Sequence, residues 1–127
     1  WLVGLASTDE QGRRGWIQQN HPGWPDDEHA PWSRAKPAVD LRLIDAPQRW
    51  LRRRWRGVAA AVTCPTLLLV GDPDHDTACA PEVSGELTRL DGWTVSVVPG
   101  AGHNVRRDQR DLAVDEVTRF LRRSLRD

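Results

Sequence analysis

The chain has 127 residues, 39% of them hydrophobic and 28% charged, which is ordinary for a domain with a hydrophobic core. Its 18 basic and 18 acidic side chains cancel, so no net field favours nucleic acid or an anionic membrane surface as a partner. No apolar run approaches the roughly 20 residues that span a bilayer, and the first residues lack the features of a signal peptide. We therefore expect a soluble, cytoplasmic protein without nucleic-acid or membrane partners.

The first half, residues 1–60, is rich in Trp, Pro and Arg and has no run of β-branched residues, which predicts helices and loops. The strongest helical pattern covers residues 46–60, with Pro47 near its first turn. We interpret the Arg52–Arg54 run inside it as a solvated helix face, because the chain is neutral and no aromatic stacking motif accompanies the run.

The second half alternates between strand and helix patterns. Thr66–Val70 is a short apolar run, typical of a strand that is buried on both faces of a parallel sheet. In chain order we predict a strand at 66–70, a helix at 81–90, a strand at 94–98, a Gly-rich loop at 99–103 and a helix at about 108–125. The apolar stripe of the last helix is Ala113, Val117, Phe120 and Leu121. This order predicts an α/β fold with a right-handed parallel crossover.

The two cysteines, Cys64 and Cys79, are too few for a disulfide framework, and we expect both to be reduced. The chain contains no methionine and opens on Trp1. We therefore expect it to be part of a longer reading frame.

The stretch GDPDHD, residues 71–76, carries three alternating aspartates like the first ligands of a calcium loop. That loop also requires a glycine at its sixth position and a glutamate at its twelfth, where this chain has Thr77 and Val83. A zinc site is not indicated either, because His75 and Cys79 form too sparse a ligand set. We predict no metal and no other cofactor.

A catalytic interpretation of GDPDHD rests on its placement. It follows the first predicted strand, and Gly100–His103 follows the second. The carboxyl ends of parallel strands converge on one edge, so a carboxylate and His103 should meet there. A carboxylate in that position holds an imidazole in one tautomer and stabilises its charged form, as a general base requires. Gly100 and Gly102 would allow the backbone to turn sharply beside the histidine.

CPTLLLVGDPD, followed by VSVVPGAGH and a closing amphipathic helix, resembles the C-terminal part of an α/β-hydrolase over residues 63–125. The resemblance implies that 61–127 is the C-terminal part of the parallel core and that 1–60 is a helical cap segment. It implies Asp74 as the triad acid, with Asp72 in reserve, and His103 as the base. On that basis His103→Ala abolishes turnover and Asp74→Asn lowers it by about 10⁴.

The same resemblance implies a small-molecule substrate enclosed by the cap. Trp24 and Trp32 are candidate substrate contacts, and the wider set of candidate walls is Trp16, Trp24, Trp32, Trp50 and Trp55. Packing inside the cap is the alternative for each of them. His75 and Asp76 are further candidate contacts, with an exposed polar loop as the alternative. We expect His21 and His29 at the surface.

The nucleophile elbow G-x-S-x-G of the family is absent, since no serine of the chain has the flanking glycines. Two strands also make too small a sheet to be stable. We therefore expect the missing half of the fold upstream, and the 127-residue chain alone to be inactive and marginally stable. The parent would hydrolyse an ester or related acyl bond. The alternatives are an epoxide hydrolase or dehalogenase with an upstream Asp nucleophile, a hydrolase-like ligand-binding module without catalysis, or a small stand-alone binding domain.

Overall fold

Helices and a two-strand parallel sheet make up the computed structural model, which describes residues 2–40, 42 and 55–126. The chain divides into two units, Trp1–Arg53 and Arg54–Asp127. The mixed α/β class predicted from the sequence is confirmed at this level. The predicted helix at 46–60 is described only over its last turns, because residues 46–54 and with them Trp50 lie outside the described residues.

The described part of the first unit is helical: α1 (Leu2–Ser7), α2 (Glu10–Asn20) and α3 (Asp26–Ala35). Helix α2 begins where Asp9 caps it, with the carboxylate accepting a hydrogen bond from the Gly12 amide at 2.7 Å. Helix α3 carries acidic side chains throughout its first turn, where they oppose the positive end of the helix dipole.

The core of this unit, called the aromatic cluster below, consists of Leu5, Ile17, Trp24 and Trp32, with Trp16 packed against them. Trp16 stacks on Trp32 with the ring centroids 5.4 Å apart, and Trp24 meets the edge of Trp32 at 6.2 Å. Trp24 and Trp32 are only 5% and 6% exposed. These two candidate substrate contacts therefore pack inside the first unit, and little of either ring is exposed to contact a ligand.

The expectation that both histidines of this segment are surface residues is wrong. His21 is half-buried and stacks on Trp24 at 4.2 Å, while His29 is only 7% exposed. An imidazole is a flat ring that packs against indoles, so a polar residue type in a Pro-rich segment does not fix its burial.

A buried arginine joins the helices of the first unit. The Arg13 Nε–H donates to the Ser33 carbonyl oxygen at 2.7 Å, and Nη1–H donates to the Thr8 carbonyl oxygen. Ser33 is fully buried, and its hydroxyl donates to the His29 carbonyl at 2.7 Å. Hydrogen bonds to main-chain carbonyls thus replace the hydration that the guanidinium loses on burial.

The second unit follows the predicted strand, helix, strand, helix order. Its elements are α4 (Trp55–Ala60), β1 (Thr66–Gly71), α5 (Pro81–Leu87), β2 (Trp93–Val98), α6 (Val105–Asp108) and α7 (Arg110–Ser124). The strands pair in parallel from Thr66 opposite Trp93 to Gly71 opposite Val98. The strand boundaries agree with prediction to within one residue. The helices differ more: α5 ends at Leu87 rather than Leu90, and Gln109, with non-helical dihedral angles, separates α6 from α7.

Burial in the second unit is shallower than the apolar patterns predict. In β1 only Val70 and Gly71 are buried, whereas the preceding four residues are half-buried. On the stripe of α7, Ala113 is buried, but Val117 and Leu121 are 39% and 48% exposed. The physical reason is that each strand has one strand neighbour in the described part of the chain, so two strands leave sheet faces and helix stripes partly uncovered.

Two expectations drawn from composition are also testable at this level. Cys64 and Cys79 are both free thiols, as predicted. Within the described residues, no helix combines the length and the apolar character needed to cross a bilayer.

Candidate functional site

The loops that follow β1 and β2 leave the sheet at the same edge, because Gly71 and Val98 are paired at the carboxyl ends of the two strands. Backbone hydrogen bonds then join the loops. The Asp72 amide donates to the Ala101 carbonyl at 2.7 Å, and the His103 amide donates to the Asp76 carbonyl at 2.7 Å. The sheet edge thus brings GDPDHD and the histidine loop together, as the strand order predicted.

Glycine is required where these loops touch. A Cβ added at Gly71 would lie 2.3 Å from the Gly102 carbonyl oxygen and 2.8 Å from that of Ala101, both of them main-chain atoms. Gly100 has a φ of +71°, in the left-handed region that side chains other than glycine rarely adopt. The two glycines therefore allow a close approach of backbones that places His103 beside the loop after β1.

The conformation of GDPDHD selects which aspartate meets the histidine. The Asp72 carboxylate accepts a hydrogen bond from the Asp74 amide at 3.0 Å, and the Asp72 carbonyl accepts one from the His75 amide at 2.9 Å, so the chain turns here. After this turn the Asp76 Oδ2 atom lies 3.5 Å from the His103 Nδ1 atom. Asp74, expected as the partner of the histidine, makes no ion pair with His103 in the described part of the chain.

Both ring nitrogens of His103 have neighbours that favour one tautomer. The Asn104 Nδ2 atom lies 3.0 Å from His103 Nε2. An amide nitrogen only donates, so Nε2 accepts this bond with its lone pair and the ring proton is on Nδ1, which faces the Asp76 carboxylate. A histidine whose Nε2 acts as an acceptor and whose Nδ1 faces a carboxylate has the arrangement of a general base with its orienting acid.

Asp72, the reserve candidate for the triad acid, faces backbone amides instead. Its Oδ2 accepts from the Gly100 amide at 2.9 Å, and the imidazole nearest to that oxygen is His75, with Nδ1 at 3.7 Å. Hydrogen bonds from Gly100 and then Asp74, assisted by the positive charge that His75 can carry, hold the pKa of the Asp72 carboxyl below its usual value. Asp72 is therefore an anionic acceptor for two amides.

The candidate pair is open to solvent. The side chain of His103 is 52% exposed and that of Asp76 is 95% exposed. Water and salt screen an ion pair at such exposure, and its separation exceeds that of a strong charge-assisted hydrogen bond, about 2.7–2.9 Å. His75, the candidate substrate contact, also has a half-exposed side chain. No group of three or more potential metal ligands occurs among the residues that the structure describes.

Sequence reasoning missed Asn104, and it considered Asp76 only as a possible substrate contact and not as the neighbour of His103. Asp76 is one of three alternating aspartates, and the turn stabilised by the Asp72 side chain brings this one to the His103 ring. Asn104 follows the histidine directly, so the sequence does contain a signal for it: an amide side chain adjacent to a candidate base can donate to that base.

Chemically, this arrangement can accept a proton at His103 Nε2 and stabilise the resulting charge through Asp76. It has no nucleophile of its own beside the histidine among the described contacts. Comparisons with protein-family models, with curated proteins and with solved structures each return no match to this chain.

Proposed function

We propose that the second unit is the C-terminal part of an α/β-hydrolase core and that it supplies the base and the acid of a nucleophile–His–acid triad. The observation that carries the proposal is the arrangement of His103 at the carboxyl edge of two parallel strands, with Nδ1 facing a carboxylate and Nε2 accepting a hydrogen bond. The resemblance of CPTLLLVGDPD and VSVVPGAGH supports the family, and this geometry supports the roles of base and acid.

In the proposed reaction, His103 Nε2 takes the proton of a nucleophile as that group attacks an acyl carbon of a small ester, and then delivers the proton to the leaving group. Asp76 keeps the ring oriented and stabilises its charged form. This assignment replaces Asp74, because the loop turn directs Asp76 rather than Asp74 to Nδ1. Asn104 holds the position at Nε2 that the nucleophile would occupy as hydrogen-bond donor.

The proposal places the nucleophile on a segment that precedes Trp1, since no serine of this chain has the flanking glycines of an elbow. The exposure of the pair supports the same conclusion. A carboxylate that is 95% exposed orients an imidazole weakly, and in this proposal further parts of the parent protein cover the site and lower its effective dielectric. In this proposal the helical first unit is a cap segment.

The test uses the complete reading frame that contains this chain, assayed with a p-nitrophenyl ester and with a fluorophosphonate that labels activated serines. We expect turnover and labelling in the complete protein and neither in the 127-residue chain. His103→Ala abolishes turnover, and Asp76→Asn lowers it by about 10⁴. The matched control is Asp91→Asn, which makes the same charge change on an exposed residue just before β2.

The outcomes separate the alternatives. Full turnover in His103→Ala would refute the proposed function. A loss of turnover in Asp74→Asn with normal Asp76→Asn would refute the acid assignment alone. Hydrolysis of an epoxide or a haloalkane without fluorophosphonate labelling would replace serine by an aspartate nucleophile, with His103 activating water. A complete protein that binds ligands without turning any of them over would be a non-catalytic module.

A further inference from the structure

Two carboxylates bind the backbone of the loop that precedes His103, one from a residue before the histidine in the chain and one from a residue after it. The Gly100 amide donates to Asp72 Oδ2 at 2.9 Å, and the Gly102 amide donates to Asp108 Oδ2 at 2.9 Å. Hydrogen bonds from an amide to a charged carboxylate are roughly twice as strong as those between neutral groups. The backbone immediately before the histidine is thus attached to two anions.

Asp72 differs from Asp108 in the elements that it joins. Asp108 ends α6, a few residues after the histidine, so its bond is local in sequence. Asp72 belongs to the loop after β1, and each of its oxygens serves a different loop: Oδ1 accepts from the Asp74 amide and Oδ2 from the Gly100 amide. Its carboxylate therefore links the turn that directs Asp76 to the loop that directs His103.

The exposure of the two aspartates agrees with this division. The side chain of Asp72 is 23% exposed, while that of Asp76 is 95% exposed. Nothing among the described contacts holds the Asp76 carboxylate except its proximity to His103, so its position depends on the loop backbone. The backbone in turn is held by two main-chain hydrogen bonds between the loops and by the amide bonds to the Asp72 carboxylate.

We infer that Asp72 is a positioning residue, whose carboxylate sets the separation between Asp76 and His103 by joining their two loops. The inference rests on the proposed function for its catalytic meaning, whereas the joining of the loops is testable without it. Loss of the carboxylate leaves the backbone bonds from the His103 amide to the Asp76 carbonyl and from the Asp72 amide to the Ala101 carbonyl, but releases Gly100, three residues before the histidine. A displacement of 1 Å at a catalytic group can lower a rate about 10²-fold.

This role is distinct from the reserve role as triad acid. An acid that orients His103 would have to direct an oxygen at its ring, whereas both oxygens of Asp72 are engaged by the Gly100 and Asp74 amides. The imidazole that approaches Asp72 is that of His75. Asp72 can thus act on His103 only through the backbone.

The test is nuclear magnetic resonance on the 127-residue chain, comparing Asp72→Ala, Asp72→Asn and the control Asp74→Asn. The control removes a neighbouring charge but leaves the carboxylate that accepts from the Gly100 amide. Two quantities are measured: amide hydrogen exchange at Gly100, and the nitrogen shifts of the His103 ring, which report where its proton is. We expect exchange at Gly100 to rise by up to about tenfold in Asp72→Ala after solvent screening is allowed for, with a shift in the ring signals.

Asp72→Asn keeps one carbonyl acceptor, so we expect partial rescue of both quantities, and Asp74→Asn should leave Gly100 unchanged. Should Asp72→Ala fail to fold, the comparison of Asp72→Asn with Asp74→Asn remains decisive. Unchanged exchange at Gly100 and unchanged ring signals in both Asp72 variants would overturn the inference.

The complete protein separates this inference from the proposed function. Asp72→Asn should lower kcat with KM nearly unchanged, because the residue acts on the base and does not contact substrate. A wild-type kcat in that variant would overturn the positioning role even if the loop bond were lost. Full activity in His103→Ala would instead refute the proposed function, while the effect of Asp72 on Gly100 exchange in the 127-residue chain would still stand.

Discussion

Gly71→Ala is the substitution whose effect follows most directly from the geometry of the site. The added Cβ would lie 2.3 Å from the Gly102 carbonyl oxygen, and ordinary contacts begin at 3.4 Å, so the loops must separate by about 1 Å. All three nearest atoms belong to the main chain and cannot rotate away. We expect destabilisation near the upper end of the range for overpacking, about 3 kcal/mol, and a fall in Tm of about 10 °C or more.

The assay is urea and thermal unfolding followed by far-UV circular dichroism. Gly85→Ala is the matched control, because Gly85 lies inside α5 and a Cβ there meets nothing within 4 Å. This control should gain about 0.5–1 kcal/mol from the better helix propensity of alanine. Equal or greater stability of Gly71→Ala relative to wild type would refute the argument, since it would mean that the two loops do not approach as closely as the backbone contact requires.

Two further expectations concern the core and the response to acid. Ile17→Ala, at a fully buried position of the aromatic cluster, should lower the free energy of unfolding by about 2–5 kcal/mol, because it leaves a cavity. Val3→Ala, at a position 58% exposed, should change the free energy of unfolding by no more than about 0.5 kcal/mol. Urea unfolding followed by tryptophan fluorescence measures both changes, and equal midpoints for the two variants would contradict the expectation. Because the pKa of Asp72 is lowered in the folded chain, chiefly by the Gly100 amide, its contribution to stability is complete above the unfolded value of about 3.9 and is lost as the pH falls towards the folded value. As the pH is lowered from 6 to 2, the urea midpoint should therefore fall less in Asp72→Asn than in wild type. Identical dependence of the midpoint on pH in the two proteins would contradict the stabilising role of the Asp72 carboxylate.

The elements of the second unit could be predicted because their signals are local. An apolar run after Pro65 predicts β1 to within one residue, and a second run predicts β2 equally well. Proline in the first turn marks the start of α5. The parallel pairing then follows from the helical crossover, since strands joined in this way run in the same direction.

The aspartate that lies beside His103 could not be predicted, because its position depends on contacts between residues far apart in the chain. Three aspartates alternate in GDPDHD, and the choice among them follows from a turn stabilised by the Asp72 side chain. That side chain is in turn held by Gly100 in the other loop. The burial of His29 was missed for a related reason: a residue type gives a preference, and the packing of α2 against α3 decides the outcome.

The pairing of β1 with β2 also determines when the site can exist. Thr66 meets Trp93, so closing the sheet orders a long stretch of chain before any ladder bond compensates for the lost entropy. The contacts of the site span the same distance, from Asp72 to Gly100 and from Asp76 to His103. The site therefore has no local precursor, and His103 and Asp76 come together only in molecules in which the two strands are paired.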